Sequence, residues 1–300
     1  MTGVALVKAK NRAVGVRGAL ELLNPPSPSG QDVLIKPNFN SAHPAPGSTH
    51  NDLLRALVAW LKGAGAKTVT VADRSGMGNT RRVMEEKGIF DLGRELGFEV
   101  LVLDELDTEG WEHVEVPGGH WQDGFYFPRI ARQSPYIVQT CNLKTHRYGG
   151  HFTLSLKNSV GLVARNLPGQ ARNYMFELHS SPHQRLMIAE INTAYAPTFV
   201  LMDGLEAFVE GGPEAGRRAA PGVILAGTDR VAMDAVGVAI LRHLGTTPEV
   251  GRGPIFGQEQ IARAAALGLG IDSPHKIELV THDNESADFA ETIGEVLLQV

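Results

Sequence analysis

Three short stretches of the 300-residue chain carry side chains suited by type and spacing to chemistry on an anion. In Lys36-Pro37-Asn38-Phe39-Asn40 a cation and two amides alternate, so in extended chain they leave a strand on one face. Pro and Asn are equally the material of a turn. Further on, Asn142, Lys144 and His146 again share a face at a strand terminus. Beyond them Ser155 and Lys157 alternate with Leu154 and Leu156, and Asn158 follows. A lysine held beside apolar residues gives up its proton more readily, or holds an anion by charge. A lysine snorkelling over a core edge is the commoner arrangement. The third stretch runs from Glu177 to Gln184. Its Ser181-Pro182-His183-Gln184 has the form of a capping box with proline at the first helical position. That reading puts His183 in the first turn of a helix and His179 just outside it. The positive end of the helix dipole would keep both rings neutral, fit for a metal or for base work.

Other signals are weaker. Gly76-Met77-Gly78 lies between a strand and a helix, but Arg81 occupies the third glycine position of a dinucleotide fingerprint. The phosphate-binding loop, the hydrolase nucleophile elbow and the zinc-protease helix motif are all missing from the sequence. Asp229 reads as a helix cap with Asp234 one turn beyond it. Asp203-Gly204 ends a strand, so Asp203 either reaches the same site or belongs to a turn.

The elements that must position these residues alternate between strand and helix, the pattern of an α/β fold: a mostly parallel or mixed sheet flanked by helices, in one or two lobes. Strands are expected over residues 32–36, 67–73, 98–104, 136–140, 199–203, 222–226 and 276–281. Helices are expected over 53–61, 79–87, 183–194, 229–244 and 257–267. Residues 108–128 read as irregular, a hairpin or a lid. No composition shift marks a linker, so residues 1–300 are read as one domain. In such sheets ligands collect beyond the carboxyl ends of the strands, where all three stretches fall.

Composition narrows the function classes. Lys and Arg number 28 against 33 Asp and Glu, a net charge of -5, with no dense basic cluster, which argues against nucleic acid. No apolar run approaches the roughly 20 residues that span a bilayer, and the first residues lack a signal-peptide core, so a cytoplasmic protein is expected. The single cysteine, Cys141, leaves no intramolecular disulfide, thiolate zinc cage or cluster ligated by this chain alone. Histidine is plentiful: there are 11, six of them between His113 and His183.

The ordered set Lys36-Pro37-Asn38, residues 63–73, Asn142-Leu143-Lys144-Thr145-His146, Leu156-Lys157-Asn158-Ser159-Val160-Gly161, His179, Met202-Asp203-Gly204 and residues 228–234 resembles the domain of unknown function 362 family over about residues 30–245. The resemblance implies association with iron–sulfur proteins, often through a Cys-x-x-Cys segment. This chain has no such segment. It also has His50 in Ser48-Thr49-His50-Asn51-Asp52, where the family pattern suggests a Thr-Thr-x-Pro-like turn. A more distant likeness is to the nickel-pincer lactate racemase group, whose site uses a histidine, a cofactor-bearing lysine and a further histidine on the metal. His146, Lys157 and His179 fall in that order.

These readings converge on metal-assisted proton or hydride transfer on a small anionic organic molecule, by an oxidoreductase or isomerase. His179, with His183 or His146, would hold a transition metal. His146, Lys157 and Lys144 would be catalytic, and Lys36, Asn38, Asn142, Asn158 and Asp203 would bind substrate. The rival readings are a non-catalytic ligand-binding or electron-transfer-partner protein, and a metal-independent hydrolase or lyase. The expected partners are the small anion, a redox protein and a second copy of the chain, with no nucleic acid and no membrane.

Overall fold

Runs of β-branched residues bounded by turn formers become the strands of a computed structural model that describes residues 1–299. The strands are β1 (Thr2–Lys8), β2 (Asp32–Lys36), β3 (Thr68–Asp73), β4 (Glu99–Val102), β5 (Trp111–Val114), β6 (Phe125–Pro128), β7 (Tyr136–His146), β8 (His151–Thr153), β9 (Phe199–Gly211), β10 (Gly216–Ala219), β11 (Val223–Gly227) and β12 (Ile277–Val280). Ten of them form one sheet with the path β12-β1-β11-β9-β7-β2-β3-β4, to which β8 and β10 add as antiparallel flaps on β7 and β9. Along that path only β11 runs against the rest, pairing antiparallel with both β1 and β9. The sheet is therefore mixed but mostly parallel, in an α/β fold.

Alternate residues of each strand face opposite layers. Val33 and Ile35 of β2 and Val69 and Val71 of β3 pack under the helices Arg12–Leu23, Asn51–Gly63 and Ile89–Leu96. On the other face, Leu34 and Ile137 meet the helices Tyr174–Ser180 and Gln184–Ile191, while Cys141, Leu143 and Met202 meet Arg230–His243 and its neighbours. Residues 108–128 are a β5–β6 hairpin whose Trp111, Trp121, Phe125 and Phe127 are buried in this second layer.

Some expectations change. The strand expected to end at Thr140 continues to His146, and the one expected to end at Asp203 continues to Gly211. Neither β1 nor the helices Arg12–Leu23 and Asn284–Leu297 are anticipated from the sequence. Among the described residues no helix is long and apolar enough to cross a membrane.

The sheet's order creates one special crevice. From β2 the chain steps outward to β3 and β4, then returns to lay β7 on the opposite side of β2. At such a switch point the loops diverge and leave a cleft beyond the carboxyl ends of the two strands. Lys36 closes β2 and His146 closes β7, so the candidate residues surround that cleft.

Candidate functional site

Lys36 and Asp73 are the last residues of adjacent parallel strands, and both are almost fully buried. Lys36 Nζ lies 2.8 Å from Asp73 Oδ1 and 3.3 Å from Asn158 Oδ1. Asp73 also accepts the backbone N–H groups of Phe39 at 2.7 Å and Arg74 at 2.8 Å. Burial nevertheless wins over the mutual attraction: it pulls the Lys36 ammonium down and pushes the Asp73 carboxyl up from their ordinary ranges. The pair needs Gly161 beside it, because a Cβ there would fall 2.5 Å from Asp73 Oδ1 and 2.9 Å from Lys36 Nζ.

Lys144, on β7, is fully buried and has no carboxylate partner. Its ammonium faces oxygen atoms only: the carbonyls of Gly47 and Pro213 and the side chain of Asn38, the last at 3.3 Å. Burial, reinforced by the charge of Lys157, lowers it to about 7. Lys157 rides on the short helix Ser155–Asn158, which is fixed by buried Asp234: its carboxylate accepts Ser155 N at 2.7 Å and Leu156 N at 3.1 Å. Burial and the nearby Arg74 bring Lys157 to about 8. Arg74 itself is buried, lowered to about 10, and occupied by the carbonyls of Val163, Ser75 and Val160 at 2.7, 3.0 and 2.6 Å.

His146 ends β7 opposite His151 of β8. Burial first, then the charges of Lys157 and Lys144, hold its pKa well below the usual range, so the ring is neutral. Its Nδ1 is buried without a hydrogen-bond partner. Gly150 separates it from Lys157; a Cβ there would lie 2.5 Å from Lys157 Cε and 3.2 Å from His146 Nδ1. These groups enclose a narrow inner pocket lined by four cations, Lys36, Arg74, Lys144 and Lys157, and one carboxylate, Asp73. Since Asp73 is committed to Lys36, the field in the pocket is positive. It opens past His146 and Lys157 into an outer cleft of about 440 Å³.

Of the residues singled out by sequence, Lys36, Asn38, Lys144, His146, Lys157 and Asn158 come together in the inner pocket, and His179 lines the outer cleft. The rest do not join them. Asp203 is one strand further from β2, opposite Asn142, and is claimed by Arg12 at 2.6 Å. Asn142 lies off the pocket lining, with its amide nitrogen 3.5 Å from the Ser48 carbonyl. His183 is exposed and lies against the ring of His120, centroids 4.6 Å apart. The capping arrangement also differs. His183 is itself the N-cap residue of the helix Gln184–Ile191, and His179 is in the last turn of Tyr174–Ser180. The dipole argument for His179 therefore does not apply. It is burial that lowers its pKa, and its Nδ1 is 2.6 Å from the Met175 carbonyl. His50 is the N-cap of Asn51–Gly63, its Nδ1 accepting Asp52 N at 3.0 Å.

Sequence reading missed Asp73 and Arg74, whereas Asn40, placed by its spacing on one face with Lys36 and Asn38, lines both the inner pocket and the outer cleft. The available signal was an acidic and then a basic residue closing the β-branched run Thr68-Val69-Thr70-Val71-Ala72, next to a strand that ends in lysine.

A transition metal, expected from the sequence, would have to be held by these side chains. Among the described residues no group of three or more His, Cys, Asp or Glu is placed to hold a metal ion. His146 and His179 share the outer cleft with Lys157, whose ammonium repels a cation. This donor set does not fit a bare metal ion.

A family model described as a domain of unknown function (DUF362) matches residues 33–239. The thylakoid-associated protein sll1697 of Synechocystis sp. is 26% identical over 224 residues, which cover 71% of this chain and 64% of that protein. The chain thus spans just under two thirds of the curated relative it matches. The lactate racemase apoprotein from Thermoanaerobacterium thermosaccharolyticum is a structural neighbour at 17% identity and a TM-score of 0.43, covering 69% of this chain and 51% of that one.

Proposed function

The chain belongs to the DUF362 family, and on that premise we propose that its cationic pocket binds a small organic anion and moves a proton on it, in an isomerase or related proton-transfer enzyme. The observation that carries this reading is the imbalance of charge in the pocket, where Lys144 and Lys157 are buried without a carboxylate partner. Such an arrangement is costly unless an anion shares the site. A carboxylate between Lys144 and Lys157 would supply that charge.

Bound anion also changes the acid–base properties of the site. Burial keeps His146 neutral first, and the charges of Lys157 and Lys144 add to it; the anion offsets those charges, so the imidazole becomes a better proton acceptor once substrate is present. Negative charge that develops on the substrate as the proton leaves falls next to the two ammonium groups. Lys144, at about 7, can hold or release a proton at neutral pH and is placed to return one. The proton-transfer form of the reaction is favoured because the side chains gathered in the pocket are acids and bases.

The test is exchange of the proton next to the carboxylate of simple organic acids in heavy water, followed by proton NMR, with binding measured by calorimetry. Wild-type protein is expected to bind and exchange. Lys157→Met should weaken binding by about tenfold or more, the worth of one charge-assisted contact of about 1.5–3 kcal/mol. His146→Ala should bind but not exchange. If the wild-type protein binds no acid more tightly than a Lys144→Met/Lys157→Met double variant, the proposal is wrong.

A further inference from the structure

The two compartments of the site differ in chemistry. The inner one is cationic. The outer cleft adds Met77, Tyr148 and Met175 to Val160 and Pro213, which line both compartments, and so has an apolar lining. Two of these, Met77 at 37% and Tyr148 at 47%, are among the few large apolar side chains left exposed, and Phe176, next to Met175, is 73% exposed. Apolar surface gathered at a cleft mouth marks a place where something apolar is received. Lys157, His146 and Asn40 line both compartments, so a single molecule can occupy the two at once.

Two polar atoms sharpen the picture. Gln184 is 5% exposed and lines the outer cleft, yet its Nε2 is buried without a partner; Asn40 Nδ2 is in the same condition. Buried amide donors without partners are costly, and an acceptor on a ligand would satisfy them. The cleft volume of about 440 Å³ lies within the roughly 300–1,000 Å³ typical of small-molecule sites. An acid of two or three carbons would leave most of it wet.

Building on the anion reading above, we infer that the site's ligand is an acid bearing a flat apolar group, its carboxylate among Lys144 and Lys157 and its ring against Met77, Tyr148 and Met175. Tyr148 and Met175 supply the aromatic and thioether contacts that favour a ring over an alkyl chain. The amide of Asn40 is on the lining shared by the two compartments, and that of Gln184 is on the outer cleft beside the ring's place.

Calorimetric titration of the full chain with propanoate, phenylpropanoate and phenylpropanol tests this. Burial of the ring should make phenylpropanoate about tenfold tighter or more than propanoate. In a Met77→Ser/Tyr148→Ser variant that advantage should shrink to about threefold or less with propanoate unaffected, because both side chains are exposed and their loss leaves the core intact. Lys157→Met should weaken both acids. Equal affinity for the two acids would overturn the inference while leaving the anion reading standing. An undiminished ring advantage in the rim variant would overturn it in the same way. Phenylpropanol binding as tightly as phenylpropanoate would show that the acid head is not the anchor. No binding of either acid by wild type, with Lys157→Met identical, would remove the anion reading and this inference together.

Discussion

Lys144 has three oxygen neighbours and no negative charge within hydrogen-bonding distance, and at about 7 its proton is in play near neutrality. Lys157 follows at about 8. Both are lowered by burial, so between these values and the ordinary lysine range the unfolded chain binds more protons than the folded one. Stability without ligand therefore rises with pH across that window, from about 7 upward. An anion in the pocket favours the protonated forms. Binding near pH 8 is then expected to take up protons, and affinity should fall as pH rises through about 7 to 8. Calorimetry in buffers of different ionisation enthalpy reads the uptake directly; a binding enthalpy that is independent of buffer would contradict it. At this scale the sequence was informative because Lys36, Asn38, Lys144 and His146 alternate with apolar residues at strand ends. It said nothing of Asp73 because the contact with Lys36 crosses between strands that are joined only through the helix Asn51–Gly63. It misplaced Asp203 because Arg12, on a helix not anticipated, neutralises it.

β7 is buried along its whole length, from Tyr136 to His146, and its second half carries the polar residues of the site. That is why it was read as ending at Thr140: asparagine, lysine and threonine do not look like a buried strand unless the groups that satisfy them are known. The short helix Ser155–Asn158 raises the same difficulty, since its N-terminus is held by Asp234 from a distant part of the chain. Asp234→Ala should strand two buried backbone donors and cost about 1–3 kcal/mol of stability, seen as a lower midpoint in urea. It should also loosen Lys157 and weaken anion binding, although Asp234 lies outside the pocket lining. A variant that is destabilised but binds anions with wild-type affinity would show that the helix is held by other contacts. The hairpin of residues 111–128, by contrast, belongs to packing, with its tryptophans buried against Gln184–Ile191.

The α/β pattern was legible because helix and strand periods alternate along most of the chain, and each strand of the parallel core β4-β3-β2-β7-β9 was expected, though their order was not. On the far side of the sheet β11 and β12 were expected as strands, but β1 was not. β1 pairs with β11 and β12, which are more than two hundred residues away, and local pattern carries no trace of such a partner. The site shares this long reach, since Lys36 meets Asn158 across 122 positions and Lys144 meets Asn38 across 106. Closing loops of that length costs only slowly increasing entropy, but here closure also drives ammonium groups together. The pocket is thus a piece of electrostatic frustration built into the native state. If it assembles after the rate-limiting step, an anion able to fill it will act on the escape rate of the folded chain and not on the rate of arrival. Millimolar sulfate should slow unfolding several-fold in stopped-flow chevrons while leaving the refolding limb in place, and Lys144→Met/Lys157→Met should abolish the difference. A shifted refolding limb would instead put pocket assembly before the barrier. The crowding of charge at one switch point between strands would then govern how long the native state lasts as well as what it binds.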